Sequence, residues 1–233
     1  MVPVVTLESR QGGRISIAYD SGEIKTLAHH GKVDTYIVAT EDGFSPLGSS
    51  RRFLSLDLGI PDDEIRQLAT WNRFQNPRVT LVVLPSRRGS GCLRGTILAP
   101  SETSECYKRF ATPRYGHPYR DFYYNVTYES IAYVAQNWDA HHIAISHLSG
   151  CGSFHEDIAT CNAEALAHYC DANPAAIESF VFLGDAGGIS LDHLAGIRRL
   201  NAETNSGRHR AIATETEHRG GHVLVHLDWR HDA

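Results

Sequence analysis

The sequence predicts an α/β protein built on a mixed, mostly parallel sheet with helices on both faces. Three observations predict it. Short apolar, β-branched runs alternate with helix-patterned segments from residue 13 to residue 184, the order that crossover-connected parallel strands require. Residues 141–183 read as a strand, a small-residue loop, a helix and a second strand. Near the C-terminus, two strand-like runs flank Arg219-Gly220-Gly221, which reads as a hairpin.

Taken in order, residues 13–20 alternate apolar and polar side chains and suit a half-exposed strand. Ser21-Gly22 is a turn signal, and residues 23–27 begin a short helix. Residues 33–40 are apolar and β-branched and read as a central strand. Residues 41–50 form a polar, glycine-containing loop. Residues 61–71 start a helix: proline comes early, acids crowd the first turn, and Ile65, Leu68 and Ala69 have helical spacing. Residues 79–84 are another apolar strand, 86–91 a basic flexible loop and 96–99 a short strand. Residues 100–120 show no clear periodicity.

A helix is expected across residues 122–138, entering near Asn125-Val126-Thr127. Residues 153–170 carry the clearest helix pattern. Ser153 and Glu156 have capping-box spacing, and Ile158, Cys161, Ala165, Leu166 and Tyr169 share a face. Residues 179–183 return to a strand, 189–200 read as a helix, and 208–216 with 222–229 make the hairpin. No internal repeat is present.

The bulk numbers exclude several classes. At 233 residues, with 42% hydrophobic and 21% charged residues, the chain suits one large domain or a domain with an added subdomain. A net charge of −5 speaks against a broad nucleic-acid surface. The five cysteines are odd in number and include no CxxC pair, which argues for a reducing compartment rather than a disulfide framework. Cys161 and Cys170 are expected to pack as small apolar groups on one helix. No run of about 18 apolar residues suggests a membrane span. The N-terminus lacks a basic n-region, so the expected location is cytoplasmic, with no membrane partner.

The loop at residues 149–154 sits between a strand end and a helix start. Small residues let the backbone approach a ligand closely, and several amides at a helix N-terminus can converge on an anion such as a phosphate. The alternative is a tight turn that happens to be glycine-rich. Cys151 lies where a thiolate is favoured, but the sequence places no histidine beside it. His218, His222 and His226 are spaced by four. On a strand, His222 and His226 share a face about 13 Å apart, too far for one ion; no metal site is expected. Arg87 and Arg88 either reach a phosphate or form a solvated basic loop. His155 is either a proton donor near that phosphate or a surface helix residue.

This strand–loop–helix–strand segment resembles a macro domain, the module that binds ADP-ribose and related nucleotides. In that family the strand ends in a loop of the form Gly-x-x-Gly-Phe; Gly150-Cys151-Gly152-Ser153-Phe154 stands in that place, with Ser153 at the second glycine. Gly22-Glu23-Ile24 resembles the family's Gly-Asp-Ile turn. Val38-Ala39-Thr40-Glu41 lies where the family has an Asn-Ala-Ala-Asn-like segment. The resemblance covers roughly residues 13–184.

It implies a three-layer α/β/α macro-domain-like sandwich and a nucleotide-binding domain over residues 1–184. Residues 185–233 are then a C-terminal extension, helix plus hairpin, packed on the same domain. It also implies a diphosphate held by Ser149, Gly150, Cys151, Gly152, Ser153 and Phe154 opposite Gly48 and Ser49, with adenine near Glu23. On the residues alone, Glu23 reads equally as a solvated turn acid, and Phe154 as a ribose-stacking ring or a core plug. Two departures stand out. Thr40 and Glu41 replace the asparagine pair of many family hydrolases, and the glycine-rich ribose loop is reduced to Gly43 and Gly48. Both speak against de-ADP-ribosylation and leave nucleotide binding standing.

The functional expectation is therefore a sensor, reader or sequestering module for ADP-ribose or a related NAD-derived nucleotide, with that nucleotide or an ADP-ribosylated target as partner and no separate cofactor. A hydrolase or phosphoesterase acting on an ADP-ribose derivative is one alternative, for which the sequence names no catalytic base. A structural domain that kept the sheet and lost the ligand is the other.

Overall fold

Among the described residues, one ten-stranded sheet forms the framework. The computed structural model describes residues 2–8, 14–20, 24–40, 49–75, 78–86, 93–100, 118–146, 155–173, 176–183 and 213–228. The strands are β1 (Val2–Glu8), β2 (Arg14–Asp20), β3 (Thr35–Thr40), β4 (Phe74–Gln75), β5 (Arg78–Pro85), β6 (Gly95–Pro100), β7 (His142–Ser146), β8 (Ser179–Leu183), β9 (Ala213–Arg219) and β10 (His222–Asp228). Their order is β1-β2-β8-β7-β3-β6-β5-β10-β9, with β4 paired to β5. The middle strands β2, β8, β7, β3 and β6 are mutually parallel, whereas both flanks are antiparallel. The sheet is therefore mixed and parallel at its centre, as expected.

Alternating side chains of the parallel strands feed two cores. Ile37, Ile97, Ile143, Ile145, Phe180 and Phe182 face one side and pack under helices α4 (Pro118–Trp138) and α5 (His155–Ala172). Val38, Leu98, Ala144, Val181 and Leu183 face the other. There they meet α1 (Ile24–His29), α3 (Asp62–Trp71) and the segment after α2 (Ser49–Arg52). Phe180 and Phe182 are fully buried, each contributing about 1.5–3 kcal/mol by leaving water.

Several elements differ from the sequence expectation. Strand β1 was not foreseen. It pairs antiparallel with β2 at the sheet edge, and its register slips between Pro3 and Val5, because proline has no N–H to give a ladder. The loop expected over 41–50 ends early: Ser49 opens α2, and Phe53–Asp57 continues as one wide π-turn closed by Leu58 N–H to Phe53 O at 3.0 Å. Helix α4 begins at Pro118, not near Asn125; proline suits a first helical turn, whose N–H is unpaired anyway. Residues 122–127 of α4 are all buried, so the segment carries no amphipathic period for a sequence reading to detect.

The hairpin's first strand runs to Arg219, three residues beyond the expected 216, and leaves a two-residue turn. Gly220 and Gly221 take φ of 58° and 81°, the pattern of a type I′ hairpin. Through β10 the hairpin extends the main sheet beside β5. His222 Nε2 lies 3.0 Å from Glu64 Oε1 on α3, and Arg219 sits over the Trp71 ring. The helix expected over 189–200 lies outside the described residues.

Candidate functional site

The five parallel strands end on one edge, at Asp20, Leu183, Ser146, Thr40 and Pro100. Helix α5 joins β7 to β8, which are parallel neighbours. It must therefore run back antiparallel to them, and its N-terminus at His155 returns to that same carboxyl edge. Eighteen residues of aligned peptide dipoles then aim their positive end there. The opposite edge is structural. Asp34 Oδ2 accepts the main-chain N–H groups of His141 and His142, and His142 Nδ1 lies 2.9 Å from Ser179 Oγ.

The rim of the carboxyl edge is built by Tyr36, Thr40 and Ser146. Tyr36 is buried on β3, and its ring meets Phe53 edge-on at 5.0 Å. Burial pushes its phenol up to about 12, a hydrogen bond with Ser146 opposes that, and Asp57 adds to it. The phenol is thus neutral and structural at ordinary pH. Its contacts tie the start of the 53–57 turn to the end of β7. Thr40 Oγ1 donates to Ala99 O at 3.1 Å, fixing the end of β3 against β6. Tyr36 lies within the expected strand 33–40; nothing in its spacing announces a contact with Ser146.

Of the residues expected at the site, Ser49 is the first residue of α2. Glu23, Gly48, Ser149, Gly150, Cys151, Gly152, Ser153 and Phe154 lie outside the described residues, as do Arg87 and Arg88. What the structure supplies is the frame around them: Ser146 and His155 bound the 147–154 connection, and Ile24 and Ser49 open helices directly after Glu23 and Gly48.

Among the described residues, no group of three or more His, Cys, Asp or Glu side chains is placed to hold a metal ion. His222 and His226 share a strand face, as expected, but engage different partners, Glu64 and the pair Thr80 and Glu217. Cys161 and Cys170 are buried free thiols. Among the described residues no helix is long and apolar enough to cross a membrane.

By sequence, no family model and no curated protein matches the chain. By structure, it is similar to solved macrodomains. The Oceanobacillus iheyensis macrodomain aligns at TM-score 0.58 and 8% identity, covering 87% of this chain and all of that one. The same bacterial macrodomain is also solved with ADP and with ADPR. The macro domain of ganglioside induced differentiation associated protein 2 aligns at TM-score 0.53 and 10% identity, covering 83% of this chain and 86% of that one. A Trypanosoma brucei macrodomain in complex with ADP aligns at TM-score 0.52 and 12% identity, covering 78% of this chain and 68% of that one. The chain therefore has the macrodomain fold, the three-layer sandwich that its sequence pattern resembles.

Proposed function

We propose that this macrodomain-fold chain binds ADP-ribose or a related NAD-derived nucleotide at the carboxyl edge of its parallel strands, as a sensor, reader or sequestering module. One observation carries the reading: the N-terminus of α5 returns to the edge where β7 and β3 end. A diphosphate there meets main-chain N–H donors and the positive end of a helix dipole, with no need for a lysine or arginine cluster.

In this reading, Ser149 to Phe154 grip the diphosphate and Gly48 with Ser49 forms the facing wall. Glu23, just before α1, accepts from the adenine amine. Structures of similar fold have been solved with ADP and with ADPR, which supports the choice of ligand class. The replacement of the family's asparagine pair by Thr40 and Glu41 favours a binder over a hydrolase, and the engagement of Thr40 Oγ1 with Ala99 O agrees.

A thermal-shift screen against ADP-ribose, its cyclic isomers, NAD and AMP tests this directly. A ligand specific to the folded state stabilises by about 2.7 kcal/mol at a hundredfold excess over Kd. A clear rise in Tm with ADP-ribose or a close relative is expected; no rise with any of them contradicts the proposal. Incubation of a binding-competent protein with an ADP-ribosylated target, followed by product analysis, separates reader from hydrolase.

A further inference from the structure

A second cavity lies away from that edge, between α4, the last turns of α5 and the β9–β10 hairpin, with a volume of about 440 Å³. That is within the range of small-ligand sites. Asn137 and Asn173 line it at the C-terminal ends of α4 and α5, which point to the amino edge of the strands. It is therefore independent of the proposed nucleotide site.

Its chemistry is one-sided. Among the described residues that line it, Tyr128, Tyr133 and Tyr169 contribute three aromatic rings, Glu129 is the one carboxylate, and there is neither lysine nor arginine. Among the described residues no cation is paired with Glu129. Tyr128 is held edge-on against Tyr169 at 5.6 Å, and Tyr133 against Trp138 at 5.7 Å, so the rings are fixed by packing. We propose that this groove is a binding site for an organic ammonium ion, its charge met by the Glu129 carboxylate and its alkyl groups by the three tyrosine rings. Aromatic quadrupoles attract a cation whose charge is spread over alkyl groups. A hard metal ion needs more oxygen ligands than one carboxylate supplies, and an anion is repelled. The same chemistry is offered by a free small amine and by a lysine side chain of a partner protein.

Protonation acts on this site in one direction. Burial pushes the Glu129 carboxyl up to about 7. The groups facing it are Tyr128 and Tyr133 on its own helix, Tyr169 on α5 and His218 on β9. The three phenols are raised by burial and stay neutral. Affinity for an ammonium ion thus rises as pH passes upward through 7.

The test titrates the full chain, followed by calorimetry and NMR, with choline, with its neutral isostere 3,3-dimethylbutan-1-ol, and with a short peptide carrying lysine or trimethyllysine. Saturable choline binding is expected in the millimolar range or tighter, weakened about tenfold by removing the charge from either side. Glu129→Gln removes it from the protein, and the alcohol removes it from the ligand. Tyr133→Leu is expected to weaken binding and Tyr133→Phe to retain it. Tighter binding of a peptide than of choline assigns the source to a partner's side chain; the reverse assigns a free amine. No saturable binding of any ammonium probe, equal binding of the alcohol, or unchanged affinity in a folded Glu129→Gln protein overturns the proposal. None of these outcomes bears on ADP-ribose.

Discussion

Asp34 Oδ2 accepts the main-chain N–H of His141 at 2.8 Å, joining the start of β3 to the start of β7 across 107 residues of chain. The same oxygen takes the His142 N–H at 3.1 Å, and Asp34 N–H donates to His142 O at 2.8 Å. One carboxylate thereby sets the relative register of two central strands. Removing it leaves two amides without their acceptor. Asp34→Ala is expected to lower stability by about 2 kcal/mol, read as a shift of the urea midpoint at unchanged slope. Asp34→Asn keeps an acceptor oxygen and is expected to lose less.

Gly95 is required by a close approach. A Cβ built there lies 2.4 Å from Trp138 Cη2 and 2.8 Å from Leu84 O. The backbone oxygen cannot yield and the indole closes the end of α4. Gly95→Ala is expected to destabilise by about 1–3 kcal/mol through overpacking, again visible as an urea midpoint shift. A Gly31→Ala control, with open space around its Cβ, bears only the penalty of its positive φ.

The two described thiols are expected to be inert in the native state. Cys161 and Cys170 are each 2% exposed. Burial, with a smaller contribution from Asp171, pushes the Cys170 thiol up to about 12, so almost no thiolate is present at pH 8. Mass-spectrometric mapping after labelling with a thiol reagent should find both unmodified until denaturant is added.

Glu129 gives the fold a pH dependence of definite sign. Its carboxyl is held near 7 in the folded state by burial, against an ordinary value of 4.5. Between those values the folded chain binds more protons than the unfolded one, so this group's contribution to stability falls as pH rises through that window. Glu129→Gln is therefore expected to raise Tm relative to the parent at pH 8, with the difference shrinking towards pH 4.5. Melting curves across that range check it.

The central architecture was legible because buried parallel strands carry continuous β-branched and aromatic runs. Residues 179–183 fall at the expected boundaries for this reason, and the strand expected at the head of the 141–183 segment is His142–Ser146. The hairpin announced itself through Gly220-Gly221, since positive φ at both positions selects glycine. What stayed hidden depends on tertiary context. Strand β1 lies at the sheet edge and is interrupted by Pro3, and only its pairing with β2 makes it a strand. Residues 122–127 of α4 are all buried and so show no period. At the rim of the candidate site, the meeting of Tyr36, Phe53 and Ser146 joins residues 110 positions apart, a relation that single-sequence spacing does not contain.

The reading of function rests on the amides after β7 and the N-terminus of α5 gripping a diphosphate. Isothermal titration of the full chain with ADP-ribose, run beside adenosine, probes that grip most directly. Saturable one-to-one binding of ADP-ribose, with adenosine at least tenfold weaker for want of its phosphates, is the expected result. No heat with ADP-ribose, or equal affinity for adenosine, contradicts it.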